Sequence, residues 1–148
     1  MVSTTMLAKT SDVAVGFNSL AHVDGYIDLN GPYYCKERDA GGFDYGFLPD
    51  HRHSNPNKVI HGAALLGFED TAFGHLIVTS TQRYCATVSV NSDFIGATNV
   101  GSWVNADVYV KELTGSMAFV GAEVYFGDKL LLSATAIFKL FAAQDPVA

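Results

Sequence analysis

The sequence predicts an α+β domain in which a curved antiparallel β-sheet wraps around one long central helix. Residues 61–78 contain no proline, are apolar for most of their length and follow a helical period, which is typical of a buried helix. Four later segments alternate apolar and polar residues with the period of a strand. Their connections are mostly short, which favours an antiparallel meander, and the single helix can cover the apolar face of that sheet.

Length and composition indicate one globular domain that spans residues 1–148. Hydrophobic residues make up 49% of the chain and charged residues 16%, which argues against disorder and hints at a surface buried against another subunit. The net charge of −6 argues against binding to nucleic acid or to an anionic membrane. No apolar stretch reaches the length of a bilayer span and no secretory signal is evident, so we expect a cytoplasmic protein with reduced cysteines.

The segment before the helix is harder to interpret. We expect residues 1–40 to form an irregular N-terminal arm, with a short helix as the alternative for residues 11–30. Turns are predicted at Gly31-Pro32 and at Gly41-Gly42. Residues 43–47 alternate aromatic side chains with Asp and Gly, which predicts a short strand. The polar loop 50–58, with the sequence D-H-R-H-S-N-P-N-K, then leads into the helix.

The four segments after the helix are predicted to be strands of one sheet. A tight hairpin turn is expected at Gly127-Asp128-Lys129, and glycines also mark the other connections. Each strand has one apolar face that must be buried, which is the reason for placing the helix against the sheet. The predicted strands cover residues 83–94, 103–113, 117–126 and 130–140.

One face of the predicted helix carries small residues and one charge. Ala63, Gly67, Asp70 and Gly74 follow one another at helical spacing, and Asp70 is the charged member of this face. A glycine inside a helix costs about 1 kcal/mol relative to alanine, so two of them suggest that another backbone or a ligand approaches closely. Glu69 points about 100° away around the helix, and we expect it to be solvated or held in an interface.

Two places on this helix are candidates for chemistry. Asp70 can act as a nucleophile or as a general base on water, and the alternative is a structural carboxylate with a partner. His61 and Gly62 lie where the helix begins, and there the unpaired N–H groups and the helix dipole can polarise a carbonyl oxygen. The alternative is that these two residues simply start the helix.

Other chemistries have weaker support. His51 and His53 lie two residues apart in a loop that begins with Asp50, but they lack the spacing of a known metal motif, so no metal site is expected. No serine stands in a G-x-S-x-G context, which argues against a serine hydrolase. Glycine-rich phosphate loops are absent from the sequence.

Residues 55–72 read N-P-N-K-V-I-H-G-A-A-L-L-G-F-E-D-T-A. This stretch resembles the PaaI-like, phenylacetate-type acyl-CoA thioesterases of the hotdog-fold superfamily, and the resemblance extends over residues 40–141. It implies a hotdog fold, hydrolysis of an acyl-CoA thioester to the free acid and CoA, and a homodimer or homotetramer. It implies no cofactor, because CoA is part of the substrate.

The resemblance also suggests a role for each matching residue. Asp70 matches the catalytic carboxylate, as base or nucleophile, and Gly62 matches the glycine whose N–H polarises the thioester carbonyl. His61 would shape the turn, Asn55 would position water or substrate, and the hydroxyl of Thr87 would lie near the attacking water. In the family, Asp on one subunit faces the Asn and the H-G turn of the other, which implies a site shared between two subunits.

Several alternatives stay open at the level of sequence. Ala63 stands where the family has the second glycine of H-G-G, which leaves the substrate preference unsettled. The same fold also supports a non-catalytic acyl-thioester binding protein and, with a different motif, a dehydratase or hydratase.

Overall fold

The computed structural model describes residues 13–20 and 25–143. Seven strands form one sheet, and two α-helices and a short 3₁₀ turn at His51–His53 complete the described part of the chain. The helices are α1 (Tyr26–Asn30) and α2 (Gly62–Thr81). The strands are β1 (Asn18–Ser19), β2 (Tyr33–Glu37), β3 (Phe43–Phe47), β4 (Cys85–Phe94), β5 (Val104–Leu113), β6 (Met117–Phe126) and β7 (Lys129–Leu140).

The sheet has the order β1-β2-β3-β5-β6-β7-β4, and every neighbouring pair is antiparallel. Helix α2 packs against the strands β3 to β6 and buries an apolar face between them. Removing this apolar surface from water is the main driving force for the arrangement. The predicted α+β architecture of one sheet around one long helix is therefore confirmed. Fully buried side chains of this core include Phe68, Phe73, Ile77, Val104, Val120, Val124 and Leu132.

Helix α2 occupies the predicted position and extends three residues beyond the predicted end. It begins after His61, whose Nδ1 accepts a hydrogen bond of 2.9 Å from the backbone N–H of Ala63. It ends where Gln82 adopts the left-handed conformation with φ of 55° and donates its N–H to the carbonyl of Val78. Within the described residues, no helix is both long and apolar enough to span a membrane.

The close approach expected at the glycines of α2 occurs at Gly67. A Cβ at this position would lie 2.0 Å from the hydroxyl oxygen of Tyr26, so helix α1 can pack against α2 here only because residue 67 has no side chain. A Cβ at Gly74 would meet no atom within 4 Å. The approaching group at Gly67 is thus a tyrosine side chain of the same chain.

The expectation of an irregular arm over residues 1–40 is wrong for residues 33–37. These residues form β2, which pairs with β3 in a register from Tyr33↔Phe47 to Glu37↔Phe43. Because the segment is short, its strand character depends on hydrogen bonds to β3 and on the burial of Tyr33, which sequence periodicity does not reveal. The parts of the arm at residues 1–12 and 21–24 lie outside the described residues.

The predicted meander of four consecutive strands is also wrong in one connection. The chain leaves β4, crosses over residues 95–103, and forms β5 beside β3 instead of beside β4. Strand β4 pairs with β7 and forms one edge of the sheet. This placement lays β4 alongside α2, where the candidate residues are found.

Candidate active site

A bulge in β4 determines which side chains face α2. The pairing with β7 shifts between Thr87, which lies opposite Phe138, and Ser89, which lies opposite Ile137. Val88 is therefore an extra residue in the ladder, and the inward and outward positions exchange after it. The simple alternation predicted for 83–94 fails at this point. As a result Thr87 and Ser92, five residues apart, face the same side and both reach α2.

Asp70 and Thr87 are brought together by this arrangement. The Thr87 hydroxyl donates a hydrogen bond of 2.8 Å from Oγ1 to Oδ1 of Asp70. Asp70 is partly exposed in the chain and Thr87 is exposed, so water or a ligand can reach the pair. The bond holds the carboxylate in one orientation and leaves its second oxygen available, which is the geometry a base or a nucleophile requires.

Glu69 corrects an expectation from the sequence, because it is neither solvated nor on a subunit surface. Its side chain is 0% exposed and lies between α2 and β4. Ser92 donates a hydrogen bond of 2.5 Å to Oε1, whereas Oε2 is buried and has no hydrogen-bond partner among the described residues. Burial raises the pKa of Glu69 to about 7, opposed by the Ser92 hydrogen bond and reinforced by the charge of Asp70.

Reasoning from the sequence missed Glu69, although a signal for its burial was present. Leu65, Ala72 and Phe73 lie four residues before, three after and four after Glu69, and all three are buried. Residues at these spacings share one helix face, so the pattern places Glu69 on the core side of α2. The rule that a charged residue lies outside concealed this signal.

The turn that begins α2 leaves one N–H group unpaired. The ring of His61 satisfies the N–H of Ala63, and Ala64 donates its own N–H to the carbonyl of His61. No hydrogen bond from the Gly62 N–H occurs within the residues described by the structure. This N–H is available to an oxygen of a substrate at the positive end of the helix dipole. The structure therefore gives His61 the role of a helix cap.

Gly62 also lies close to the edge strand. A Cβ at residue 62 would be 3.0 Å from the ring of Phe94, the last residue of β4. Strand β4 thus follows α2 from Asp70 back to the start of the helix. The absence of a side chain keeps the Gly62 backbone accessible beside this ring.

Asn55 lies in the loop that enters α2, at the same end as Gly62. Its Oδ1 accepts hydrogen bonds from the backbone N–H groups of Asn57, at 2.9 Å, and Val59, at 3.3 Å. The carbonyl end of the side chain therefore shapes the loop. The Nδ2 group is the part of Asn55 that can bind water or substrate.

The loop before Asn55 is held by a partly buried cluster of charged and polar groups. Asp50 accepts hydrogen bonds from the Arg52 guanidinium, which also donates to the carbonyl of Gly31 at 2.8 Å. Burial raises the pKa of Asp50, but the hydrogen bonds from Arg52 outweigh it and hold that pKa below its usual value. The Nδ1 of His53 accepts the Asp50 N–H and its Nε2 bonds to the carbonyl of Asn30, so both ring nitrogens have structural partners.

The described residues contain no group of three or more His, Cys, Asp or Glu side chains that could hold a metal ion. A cavity of about 210 Å³ lies at the start of α2. It is lined by Tyr26, Asn30, Arg52, His53, Ser54, His61, Ala63 and Ala64.

The predicted residues thus fall into two groups within one chain. Asp70 and Thr87 form one group on the side of α2, and Asn55, His61 and Gly62 form the other at its start. Eight residues separate Gly62 from Asp70, which is about 12 Å at 1.5 Å per residue along a helix. The carbonyl of one thioester cannot contact both groups of the same chain.

Comparison with known proteins identifies the class to which this fold and these residues belong. The model of the thioesterase superfamily matches residues 57–133, which include α2 and the strands β4 to β6. The chain therefore belongs to the thioesterase superfamily. The match supports hydrolysis of a thioester as the general activity.

Individual relatives agree with this assignment. The Pseudomonas aeruginosa protein named "Putative esterase PA0474" is 29% identical over 87% of this chain and 98% of its own length. The structure of the Bacillus halodurans protein BH2602 with CoA has a TM-score of 0.66 at 18% identity, covering 74% of each chain. The PaaI protein of the E. coli phenylacetic acid degradation operon has a TM-score of 0.64 at 15% identity, covering 68% of this chain and 72% of that one.

At these identities the two structures are evidence for the fold alone. Together with the superfamily match they confirm the predicted hotdog fold and the predicted likeness to PaaI proteins. The roles of the individual residues stay predictions.

Proposed function

We propose that the protein hydrolyses an acyl-CoA thioester to the free acid and CoA, with Asp70 as the base or nucleophile. The observation that carries this proposal is the hydrogen bond between Asp70 on α2 and Thr87 on β4. It places a carboxylate, oriented by a hydroxyl and open to solvent, on the central helix of a thioesterase-superfamily fold.

The proposed reaction uses groups of this chain at each step. Asp70 takes a proton from water, and the water oxygen forms a bond to the thioester carbon. The carbonyl oxygen becomes an oxyanion, which the free N–H of Gly62 stabilises. When the C–S bond breaks, the CoA thiolate leaves and takes the proton from Asp70. In the nucleophilic alternative, an oxygen of Asp70 bonds to the thioester carbon, the C–S bond breaks and the CoA thiolate leaves, and water then hydrolyses the acyl anhydride to the free acid and the carboxyl group of Asp70.

We infer that each active site combines Asp70 and Thr87 of one subunit with Asn55 and Gly62 of another, because about 12 Å separates the two groups within one chain. The edge strand β4 offers a surface for this association, since an unpaired strand edge with apolar side chains favours pairing. The apolar side chains exposed on and beside this strand are Tyr84, Val88, Phe94 and Ile95. A two-fold dimer brings the two groups into proximity twice.

One comparison supports CoA as the carrier of the acyl group, and one cavity offers space for part of the substrate. The fold is shared with a protein whose structure contains CoA. The cavity of about 210 Å³ at the start of α2 borders on His61 and Ala63, beside the Gly62 N–H that would receive the carbonyl oxygen. It therefore offers space for a part of the substrate next to the reacting carbon.

The proposal is tested by following thiol release from a panel of acyl-CoA substrates with the wild-type protein and Asp70→Asn. Loss of a general base lowers kcat by about 10²- to 10⁴-fold. Asp128→Asn is the matched control, because Asp128 is exposed in the turn between β6 and β7. Wild-type turnover by a folded Asp70→Asn protein refutes the role of Asp70. Tight binding of acyl-CoA by the wild-type protein without turnover favours the acyl-thioester binding protein.

A further inference from the structure

We propose that Glu69 is a positioning residue for the reaction, which holds the edge strand β4 through Ser92 so that Thr87 stays bonded to Asp70. This inference rests on the proposed function of Asp70. It assigns a role to a buried acid that the reaction does not otherwise use.

The geometry places the two acids side by side on the helix and their two partners on the same strand. Glu69 accepts a hydrogen bond of 2.5 Å from Ser92, and Asp70 accepts one of 2.8 Å from Thr87. The bulge at Val88 makes this double contact possible, because without it the two hydroxyls would point to opposite faces of the sheet. The acids of α2 thus bind β4 at two points along its length.

Strand β4 needs such a contact because, within the described residues of one subunit, it has a neighbouring strand on one side only. Its backbone pairs with β7, and its other edge is unpaired within the described chain. Ser92 lies between Thr87, which contacts Asp70, and Phe94, which contacts Gly62. A displacement of β4 at Ser92 would therefore change the geometry both at the Asp70–Thr87 pair and at Gly62 at the start of α2.

The burial of Glu69 is unfavourable for stability, which argues that the residue is present for another reason. The Oε2 atom of Glu69 is buried and has no hydrogen-bond partner among the described residues. A buried polar group without a partner destabilises a fold, whereas apolar side chains of similar size in place of both partners leave stability unchanged or raise it. Residues that lower stability in this way are typical of functional sites.

The test compares stability and catalysis in the double variant Glu69→Met/Ser92→Ala. We expect an unchanged or higher Tm together with a loss in kcat of about tenfold, because the bond from Thr87 to a charged group is weakened. KM should change little, since neither residue is proposed to touch substrate. Glu69→Gln keeps an acceptor for Ser92 and should retain most of the wild-type kcat.

A second comparison examines the route through Thr87. In a Thr87→Val background the double variant should have little further effect on kcat, because the bond that it weakens is already absent. Ser133→Ala, on the outward face of β7, is the matched control for loss of a serine hydroxyl and should leave kcat unchanged. If the double variant fails to fold, Ser92→Ala alone should show the same loss in kcat per folded molecule.

The outcomes separate this inference from the proposed function. Full activity in Asp70→Asn refutes the proposed function, and the role of Glu69 with it. Loss of activity in Asp70→Asn and Thr87→Val, but wild-type kcat in Glu69→Met/Ser92→Ala and in Ser92→Ala, refutes the positioning role alone. A fall in Tm and kcat together, additive with Thr87→Val, would show that the pair is merely structural and would also overturn the inference.

Discussion

Replacing Glu69 by glutamine should change how the stability of the protein depends on pH. Glu69 is fully buried, and burial raises its pKa from 4.5 to about 7 in the folded chain. Glutamine has almost the same shape as the protonated acid and does not ionise. The difference between wild type and Glu69→Gln therefore isolates the ionisation of this one side chain.

The sign and size of the effect follow from the two pKa values. Between pH 4.5 and about 7 the folded protein holds a proton that the unfolded chain has released, so the stability due to Glu69 is complete below pH 4.5 and falls as the pH rises. Above about pH 7 the loss is complete and constant. The interval between the two values corresponds to a loss of about 3 kcal/mol. Glu69→Gln should be similar to wild type at pH 4.5 and more stable by up to that amount at pH 8.

The measurement is urea unfolding of both proteins from pH 4.5 to 8 at one fixed protein concentration. Comparison with the variant is necessary because burial lowers the pKa values of His53 and His75, whose contributions to stability rise with pH in an overlapping range. A difference in the free energy of unfolding that stays constant over the whole range would refute the reasoning. It would mean that Glu69 has an ordinary pKa and is hydrated in solution.

Three further outcomes are expected. Dialysis against a chelator should leave thioesterase activity unchanged, and a loss that a divalent ion restores would contradict the metal-free mechanism. Light scattering at micromolar concentration should give a mass of at least twice 15.9 kDa, and a monomer would rule out the shared site. Asp70→Asn and Asn55→Ala proteins that are unfolded together and refolded should regain about a quarter of the wild-type sites through random pairing. Recovery no greater than the activity of the two parents would show that the site lies within one chain.

The long helix and the central strands could be predicted because their sequence patterns are long and regular. The predicted helix at 61–78 and strands at 103–113 and 117–126 differ from the observed elements by at most three residues at an end. In these elements the burial of one face determines the structure. The apolar residues of that face therefore recur in the sequence with the period of a helix or a strand. The short strand β2 lacked such a pattern, because its partner β3 stabilises it across the sheet.

The position of β4 could not be predicted from local pattern for a different reason. Its sequence alternates well, but alternation does not specify which strand lies beside it or where a bulge occurs. The structure places it at the sheet edge beside β7 and inserts Val88 as the extra residue. The contact between Thr87 and Asp70 depends on both features. The resemblance to PaaI-like thioesterases suggested Thr87, whereas periodicity alone would have placed its side chain on the face of β4 that points away from α2.

The adjacent acids of α2 show how position decides the use of the same chemical group. Asp70 is partly exposed and bonded to an exposed threonine, whereas Glu69 is fully buried and bonded to a half-buried serine. Asp70 could be predicted from the sequence because it lies on a helix face of small residues. Glu69 was missed because a charged side chain is rarely placed in a core. Glu69 departs from this rule, and its Oε2 atom has no hydrogen-bond partner among the described residues. The bulge in β4 places Ser92, the partner of Glu69, on the same strand face as Thr87, the partner of Asp70. The buried contact of Glu69 and the orientation of Asp70 therefore have a common structural origin in this bulge.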